Sequence, residues 1–407
     1  MNAVSKAISS RNFKSFLWHA AFLAFAQNFM DVDTVIPSMI IDSGGSSLHV
    51  GILTAIMLGG SSFTQLFFAP YLSNKPYKKK FLLLGVNIRV ITLFALGVML
   101  FYLKAHQSHS VLWLIFVFIT MFSLSGAFAN ISYIDIFGKS INQDKRKVFF
   151  STKQIIAGII VLFSAFLARR TLSMHDYPVN YAFMFFIGGT LLFVASGGFW
   201  ALKEVTPSVL KINSVSKFFS VLKQELKSNP RLIYFLGFIN TQGIAVSFMP
   251  FIVLYAKNFF NVQTSEAGLF LVFKIIGVVL VSAFVLITSR KVKYNYMLYF
   301  NTFLSVSIAV IAIFINDAHL FKYMFIFGGV IYSLYSITMN GVLLEVSGHE
   351  NRALYAGFAG AGNILPAVFP LVAGWIIDTF GYRIFFSIFI VIILSSIFFI
   401  KKINCKK

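Results

Sequence analysis

The stretch "SLSGAFANISYIDIFG", Ser123–Gly138, decides the fold because it recurs as "SLYSITMNGVLLEVSG", Ser333–Gly348. The two stretches are offset by 210 residues, and serine, a small residue, asparagine, an acid and glycine recur at the same intervals. Pro37 and Pro250 stand at nearly the same offset. The sequence therefore predicts two homologous halves.

The composition is typical of a protein that lies mostly in a membrane. The chain of 407 residues is 58% hydrophobic and 12% charged, and 50 of its residues are Phe. A soluble domain carries about 25% charged residues. The single cysteine, Cys405, excludes a disulfide framework and a thiolate metal site. We expect no metal and no cofactor.

Twelve stretches are long and apolar enough to cross a bilayer, which takes about 20 residues of helix. Lipid offers no partner for backbone polar groups, so each span must be helical. The spans are predicted at residues 15–41, 47–72, 81–103, 111–137, 148–168, 180–202, 232–257, 265–289, 295–315, 321–345, 353–377 and 382–400. The expected fold class is an all-α polytopic membrane protein of two pseudo-symmetric six-helix bundles.

The segment 203–231 is the longest one outside the predicted spans and separates the two halves. Its apolar residues recur at helical spacing, which predicts an amphipathic helix at the membrane interface, formed by Leu210, Val215, Phe218, Phe219 and Leu222. The predicted domains are therefore 1–202, 203–231 and 232–407. Parallel repeats with a site at their interface are a transporter architecture.

The distribution of basic residues predicts the orientation. Most of the 34 Lys and Arg residues fall in segments that are cytoplasmic if both termini lie inside. Topology thus accounts for the net charge of +21, and the chain lacks the contiguous basic face that nucleic acid would need. We expect a monomer in the lipid bilayer of the bacterial inner (plasma) membrane, with cytoplasmic termini and no nucleic-acid partner.

Two loop motifs suggest a family. The loop after the second span reads "PYLSNKPYKK", Pro70–Lys79, and the turn before the last span reads "GWIIDTFGYRIFF", Gly374–Phe386. With the span count, these motifs resemble the major facilitator superfamily, whose loop between spans two and three reads Gly-x-Leu-Ala-Asp-Arg-x-Gly-Arg-Lys. The chain departs from that motif at Pro70, Asn74 and Tyr77, where the family has glycine, aspartate and glycine.

The resemblance implies the fold of that family and transport by alternating access. Glu345 and Arg352 resemble the acid–arginine pair of the family's inner gate. Asp135 and Glu345 lie close to the inner ends of their spans, with Arg146 and Arg352 nearby, and are expected to form inner-gate ion pairs. The expected cytoplasmic gate consists of Asp135, Arg146, Glu345, Arg352, Lys78 and Lys79.

The first span holds two acids within "AQNFMDVDTVIPSM", Ala26–Met39. A charge at the centre of a membrane helix costs about 2.5–3.5 kcal/mol, so each acid is a functional candidate. On a continuous helix of about 100° per residue, Gln27 and Asn28 share the face of Asp31, and Asp33 lies about 200° away. We expect Asp31 to line a watery cavity and to carry a proton or contact substrate. Asp33 must pair with a neighbour, lie near the outer interface or be protonated.

Other spans carry further candidates. Lys274 is expected either to bind an anionic substrate or to be the counter-ion of Asp31, and Lys153 either to line the site or to snorkel to the inner surface. Arg89 has the simplest explanation as a snorkelling or structural residue. Asn130 and Asn340 are expected to form matched cavity walls. The full set of coupling and substrate candidates is Asp31, Asp33, Asn28, Gln27, Lys274, Asn130, Asn340, Asn240, Gln242 and Lys153; the alternative for each is a contact between helices.

These observations favour a proton-coupled secondary active transporter of a small organic solute, with sodium as the alternative coupling ion. A non-transporting membrane sensor is one alternative. Another is an exporter of lipophilic or cationic drugs instead of a carrier of anionic or zwitterionic solutes. The seven histidines are dispersed, and the sequence lacks hydrolase, zinc-protease and Walker motifs. We therefore do not expect an enzyme.

Overall fold

A computed structural model of the chain describes residues 5–73, 75–102, 109–207, 215–288, 292–347, 358–360, 362–403 and 405. The regular elements in these ranges are helices, as apolar spans require. The α-helices are α1 (Lys6–Gln27), α2 (Val35–Asp42), α3 (Ser47–Ser73), α4 (Lys79–Tyr102), α5 (His109–Ser140), α6 (Gln143–Met174), α7 (Val179–Trp200), α8 (Val215–Ser228), α9 (Pro230–Gln242), α10 (Met249–Phe260), α11 (Thr264–Thr288), α12 (Tyr294–Phe314), α13 (Phe321–Ser347), α14 (Leu365–Phe380) and α15 (Tyr382–Ile403). Short 3₁₀ helices occupy Asn28–Met30, Gly243–Ser247 and Ala318–Leu320.

In the described part of the chain, 10 helical segments are long and apolar enough to cross a membrane. They correspond to the third to twelfth predicted spans. Of the second predicted span, Ser47–Gly60 qualifies as a shorter apolar helix. The membrane-spanning, all-helical class is confirmed, while the full count of twelve and the side on which the termini lie stay predictions.

The first predicted span is not one continuous helix. After α1, a 3₁₀ turn leads to Asp31, whose ψ of 129° is extended, and α2 begins only at Val35. Pro37 explains the interruption, because its ring removes one N–H and clashes with the carbonyl of the residue four positions earlier, Asp33. The helical projection that separated Asp31 from Asp33 assumed an unbroken helix, and that assumption is wrong.

The corresponding region of the second half is interrupted more gently. The 3₁₀ helix at Gly243–Ser247 precedes α10, and Pro250 lies in the first turn of α10. The N–H groups of a first turn have no partner within the helix, so proline costs no hydrogen bond there. Phe248 keeps helical angles of φ −76° and ψ −38°. The two prolines thus mark similar interruptions, of which only the first contains an extended residue.

The chain forms two compact units. The first unit contains Met1–Asp31 and Phe63–Phe218. In it α4 packs against α5 and α7, and α1 packs against α6 and α7. Phe16 is the centre of an aromatic core, edge-on to Tyr133 at 5.1 Å and to Phe137 at 5.3 Å between ring centroids. A methyl group at Gly198 would overlap the carbonyl oxygen of Ser15, so glycine permits the close approach of α7 to α1.

The second unit contains Val32–Ser62 and Phe219–Lys407. In it α11 packs against α13, α15 packs against α9 and α12, and α2 packs against α10 and α11. The α3 helix approaches α14 closely, because a methyl group at Gly51 would overlap the carbonyl oxygen of Pro370. The Leu48 amide also donates a 3.2 Å hydrogen bond to the Asp378 carboxylate.

The compact units therefore differ from the predicted domains 1–202, 203–231 and 232–407. The segment 32–62 belongs to the first half by sequence and packs with helices of the second half. The division into two homologous bundles concerns the repeat in the sequence and stays a prediction. The α8 helix lies within the predicted linker, 203–231.

Candidate functional site

The break after α1 places two carboxylates in different surroundings. Asp31 is half-buried and has an extended backbone, whereas Asp33, one residue before the N-cap Thr34 of α2, is buried. The two acids differ because the backbone at Asp31 is extended, so they do not follow one another along a continuous helix. Asp31 is therefore the more accessible of the two acids.

Asp33 forms a buried ion pair with Lys274 of α11. The Asp33 Oδ2 and Lys274 Nζ atoms are 2.6 Å apart, and the two residues are 9% and 6% exposed. The Lys274 ammonium also lies 5.8 Å from the centre of the Tyr332 ring. Pairing offsets the cost of a charge within the membrane. The sequence suggests Asp31 as the counter-ion of Lys274, whereas the structure places Asp33 there.

Glycines hold α11 in position at this ion pair. A methyl group at Gly329 of α13 would overlap the carbonyl oxygen of Lys274 itself. One helical turn further, a methyl group at Gly277 of α11 would overlap the carbonyl oxygen of Ile326. The backbones of α11 and α13 therefore touch at Lys274 and again one turn toward the C-terminus of α11, which holds the backbone of Lys274 in place.

A second ion pair joins the end of α2 to α10. Lys257 Nζ lies 2.6 Å from Asp42 Oδ1 and donates a 3.4 Å hydrogen bond to the carbonyl oxygen of Ser38. Sequence reasoning missed this pair because both residues stand at the ends of predicted spans, where charges ordinarily meet water or lipid headgroups. The acidic residue at the end of an otherwise apolar helix was the available signal.

A polar cavity of about 180 Å³ lies within the first unit, between α1, α4, α5, α6 and α7. Two cations line it, Arg89 of α4 and Lys153 of α6. Three further polar side chains line it as well, His19, Asn130 and Tyr133. Asn130 and Lys153 are sequence-predicted candidates that the structure brings together here. The sequence treated Arg89 as structural and did not single out His19.

Arg89 and His19, which both line this cavity, are held in place by aromatic rings. The Arg89 guanidinium carbon lies 4.1 Å from the centre of the Phe122 ring, and its buried Nε has no hydrogen-bond partner in the described part. The His19 ring stacks on Phe199 at 3.7 Å, and its Nδ1 lies 3.1 Å from the carbonyl oxygen of Ala195. Because a carbonyl oxygen only accepts, Nδ1 carries the hydrogen and Nε2 is left for another partner.

Two asparagines have packing contacts. Asn28 is buried and donates from Nδ2 to Ser164 Oγ and to the carbonyl oxygen of Val161, both at 2.6 Å. Asn240 accepts the amide hydrogens of Ile364 and Leu365 at 3.1 and 2.8 Å, which satisfies the N-terminus of α14. These contacts favour the helix-packing interpretation for Asn28 and Asn240.

The remaining predicted amides are buried, exposed or at the cavity. Gln242 is fully buried, and its side chain is hydrogen-bonded to Thr302, Ser396 and Ser305 at 3.0–3.3 Å. Gln27 and Asn340 are exposed, and Asn340 Nδ2 donates a 2.7 Å hydrogen bond to the carbonyl oxygen of Ser336 in its own helix. Of the amides, Asn130 alone lines the cavity in the first unit.

The predicted gate acid Asp135 belongs to a charge cluster. Its carboxylate pairs with Lys78 at 2.9 Å and with Lys139 at 2.8 Å, and Lys139 also pairs with Glu204 at 2.7 Å. Glu204 accepts the backbone amides of Lys78 and Lys79 at 2.7–2.9 Å, so it caps the N-terminus of α4. Sequence reasoning missed Lys139 and Glu204, although four-residue spacing to Asp135 could have identified Lys139.

The other gate candidates have different contacts or lie outside the description. Lys79 Nζ donates to the carbonyl oxygens of Trp200 and Leu202, at 2.8 and 2.7 Å. Glu345 pairs with Arg231 at 3.6 Å. Arg352 lies outside the described residues, as does the side chain of Arg146. Among the described residues, no group of three or more His, Cys, Asp or Glu could hold a metal ion.

Several solved structures of similar fold are membrane transporters. A point mutant of the nucleoside transporter NupG aligns with a TM-score of 0.71 at 14% identity, over 96% of this chain and 100% of NupG. The D-xylose-proton symporter aligns with a TM-score of 0.69 at 12% identity, over 95% and 96% of the two chains. A POT family transporter in complex with a thioalcohol-conjugated peptide aligns with a TM-score of 0.69 at 12% identity, over 97% of each chain. At these identities the alignments show the fold.

Sequence comparison identifies the family. The family model of the Major Facilitator Superfamily matches residues 17–363, which is most of the chain. Among curated protein sequences, none matches this chain. The family match agrees with the helical fold and with the loop motifs that follow the second and eleventh predicted spans. This chain is a multi-pass membrane protein that belongs to the major facilitator superfamily.

Proposed function

We propose that the protein is a proton-coupled secondary active transporter that moves a small organic solute across the bacterial inner membrane by alternating access. The observation that carries this proposal is the buried Asp33–Lys274 ion pair, 2.6 Å across, beside the break in the first span. A charged pair within apolar helices is expensive to keep and marks a functional site.

The pair supplies a way to link protons to movement. The attraction between Asp33 and Lys274 requires an ionised carboxylate. A proton on Asp33 removes that attraction and weakens the contact of α2 with α11. Asp31, which is half-buried and lies two residues earlier, is the group we assign to exchange protons with water. Proton binding therefore shifts the balance between two conformations, as coupled transport requires.

The ion pairs also suggest two gates. With cytoplasmic termini, α2 and α10 lie toward the outer side, where Asp33–Lys274 and Asp42–Lys257 would hold the passage closed. The clusters around Asp135 and Glu345 would lie toward the cytoplasm, where we assign Arg146 and Arg352 as further partners. Alternating access then means that the outer pairs break as the inner contacts form. We propose that the transporter acts as a monomer, without a cofactor and without a nucleic-acid partner.

Reconstitution tests this proposal. Purified protein in liposomes with an imposed pH gradient is screened against a library of small organic acids, amino acids and sugars, with internal pH followed by a dye. We expect Asp31→Asn to reduce gradient-driven flux of the active solute at least about tenfold, because an amide cannot take up and release a proton as a carboxylate does. The matched control is Asp176→Asn, which changes an exposed loop carboxylate.

Three outcomes would contradict the proposal. Undiminished gradient-driven flux in Asp31→Asn removes that residue from the coupling. Flux that follows a sodium gradient and ignores the proton gradient replaces the coupling ion. Absence of solute-dependent flux from the wild-type protein, together with retained solute binding, favours the sensor alternative.

A further inference from the structure

We infer that the cavity in the first unit binds the anionic group, a carboxylate or a phosphate, of the transported solute. Its identification as a cargo site rests on the proposed function, whereas the binding of an anion rests on the cavity itself.

The charges of the cavity carry the argument. Arg89 and Lys153 both line it, and none of the lining residues that the structure describes is Asp or Glu. Within the described part of the chain, neither cation forms an ion pair, and the buried Arg89 Nε has no hydrogen-bond partner. Charges held inside proteins are ordinarily paired, because removal from water is costly. Two cations that share a cavity, with no acid among its described lining residues, leave room for an anion as their counter-ion.

The neighbouring donors suit an oxyanion. The guanidinium of Arg89 presents donors in a planar fork that matches a carboxylate or a phosphate, and Lys153 adds a compact positive charge. The Tyr133 hydroxyl and the Asn130 amide line the same space and add uncharged donors. The apolar wall, which includes Leu23, would face the carbon skeleton of the solute.

The volume limits the ligand. Pockets for drug-sized ligands measure roughly 300–1,000 Å³, whereas this cavity measures about 180 Å³. A small organic acid or phosphate fits such a space. A large lipophilic cation is disfavoured by both the size and the positive charge of the cavity. The geometry therefore separates an anion carrier from a drug exporter, which the sequence left open.

Binding to the purified full-length protein in detergent tests the inference. The probes are succinate, benzoate and inorganic phosphate, with tetraphenylphosphonium as the lipophilic cation, and the dissociation constant comes from the thermal shift at increasing concentration. We expect at least one anion to stabilise the wild-type protein. Arg89→Gln should raise its dissociation constant about 10- to 100-fold, because a charge-assisted hydrogen bond is lost. Lys153→Gln should have a smaller effect of the same sign, and Lys153→Arg should restore binding.

The matched control is Arg169→Gln, which removes an exposed arginine of the same unit and should leave anion binding unchanged. Preference for succinate or benzoate over phosphate, or the reverse, distinguishes the two anion classes. Three results would overturn the inference. They are stabilisation by tetraphenylphosphonium alone, no stabilisation by any anion, and dissociation constants for the anion in the Arg89→Gln and Lys153→Gln variants that equal the wild-type value. The measurement needs no gradient, so Asp31→Asn should keep anion binding even where it loses transport, and the two proposals can fail separately.

Discussion

The two units both carry cations on their apolar helices, but the surroundings of these cations differ. In the second unit, Lys274 meets the carboxylate of Asp33 at 2.6 Å. In the first unit, Arg89 and Lys153 line a cavity whose described lining residues include no acid. A lysine or arginine inside a span is therefore not one kind of signal. A cation paired with an acid holds helices together, and a proton on the acid weakens that attraction. A cation beside a cavity and without an acid partner can bind an anionic ligand instead.

Neutralising Asp33 should produce the largest effect. Asp33→Asn leaves Lys274 buried without its carboxylate, and breaking a buried ion pair destabilises a protein by about 3–5 kcal/mol. The double variant Asp33→Asn with Lys274→Met should recover much of that loss, because no uncompensated charge remains. Unfolding in detergent of the wild type, both single variants and the double variant gives the coupling energy.

Arg89→Gln is the matched comparison in the other unit. Because Arg89 has no acid partner in the described part, its neutralisation should change the free energy of unfolding by no more than about 1 kcal/mol in the absence of ligand. Additive losses in the Asp33 and Lys274 variants, or a larger loss in Arg89→Gln than in Asp33→Asn, would remove the distinction between the two regions.

Gly329→Ala should have an intermediate effect. The added methyl group overlaps the carbonyl oxygen of Lys274, so α11 must move away from α13. Overpacking of this kind costs about 1–3 kcal/mol and should also disturb the Asp33–Lys274 pair. Gly158→Ala is the control, since a methyl group there meets no atom within 4 Å. Equal thermal stability of the two variants would contradict the close contact between these helices.

The smallest effect concerns the single cysteine and provides a tool. Burial raises the pKa of the Cys405 thiol to about 12. Because the thiolate is the reactive form, the native protein should react with maleimide at pH 7.5 on the order of 1,000-fold more slowly than an ordinary thiol of pKa about 8.5. The rate should rise about tenfold for each pH unit between pH 7 and 9.

Because Cys405 reacts slowly, a second cysteine can be introduced and its labelling measured without removing Cys405. Asn130→Cys, at the exposed edge of the cavity, should label quickly, and Thr34→Cys, which is fully buried at the start of α2, should label slowly. Mass spectrometry of the intact protein follows both reactions. Rapid modification of native Cys405 would contradict the burial of its thiol.

Hydropathy was sufficient to place most of the spans, because only long apolar helices are stable in lipid. The interruption of the first span was also within reach of the sequence, since Pro37 cannot continue a helix through Asp33. The partner of Lys274 was not. Asp31 and Asp33 are two residues apart, and the choice between them depends on the backbone at the break, which the composition does not specify.

Arg89 shows a second limit. A snorkelling arginine and a cavity arginine have the same neighbours in sequence, because leucine, valine and phenylalanine serve equally well against lipid and in a protein core. Only the rotation of α4 about its axis separates the two cases, and that rotation is set by close contacts such as the one between Gly85 and the carbonyl oxygen of Ser125.

The extended backbone at Asp31 has a mechanical consequence. The α-helical hydrogen bonds stop at the end of α1 and start again in α2, so the backbone between the two helices can act as a hinge. A tilt of the eight residues Val35–Asp42 need not be transmitted along the 22 residues Lys6–Gln27. The two helices of the first predicted span can thus move separately, with the carboxylate of Asp31 at the hinge between them.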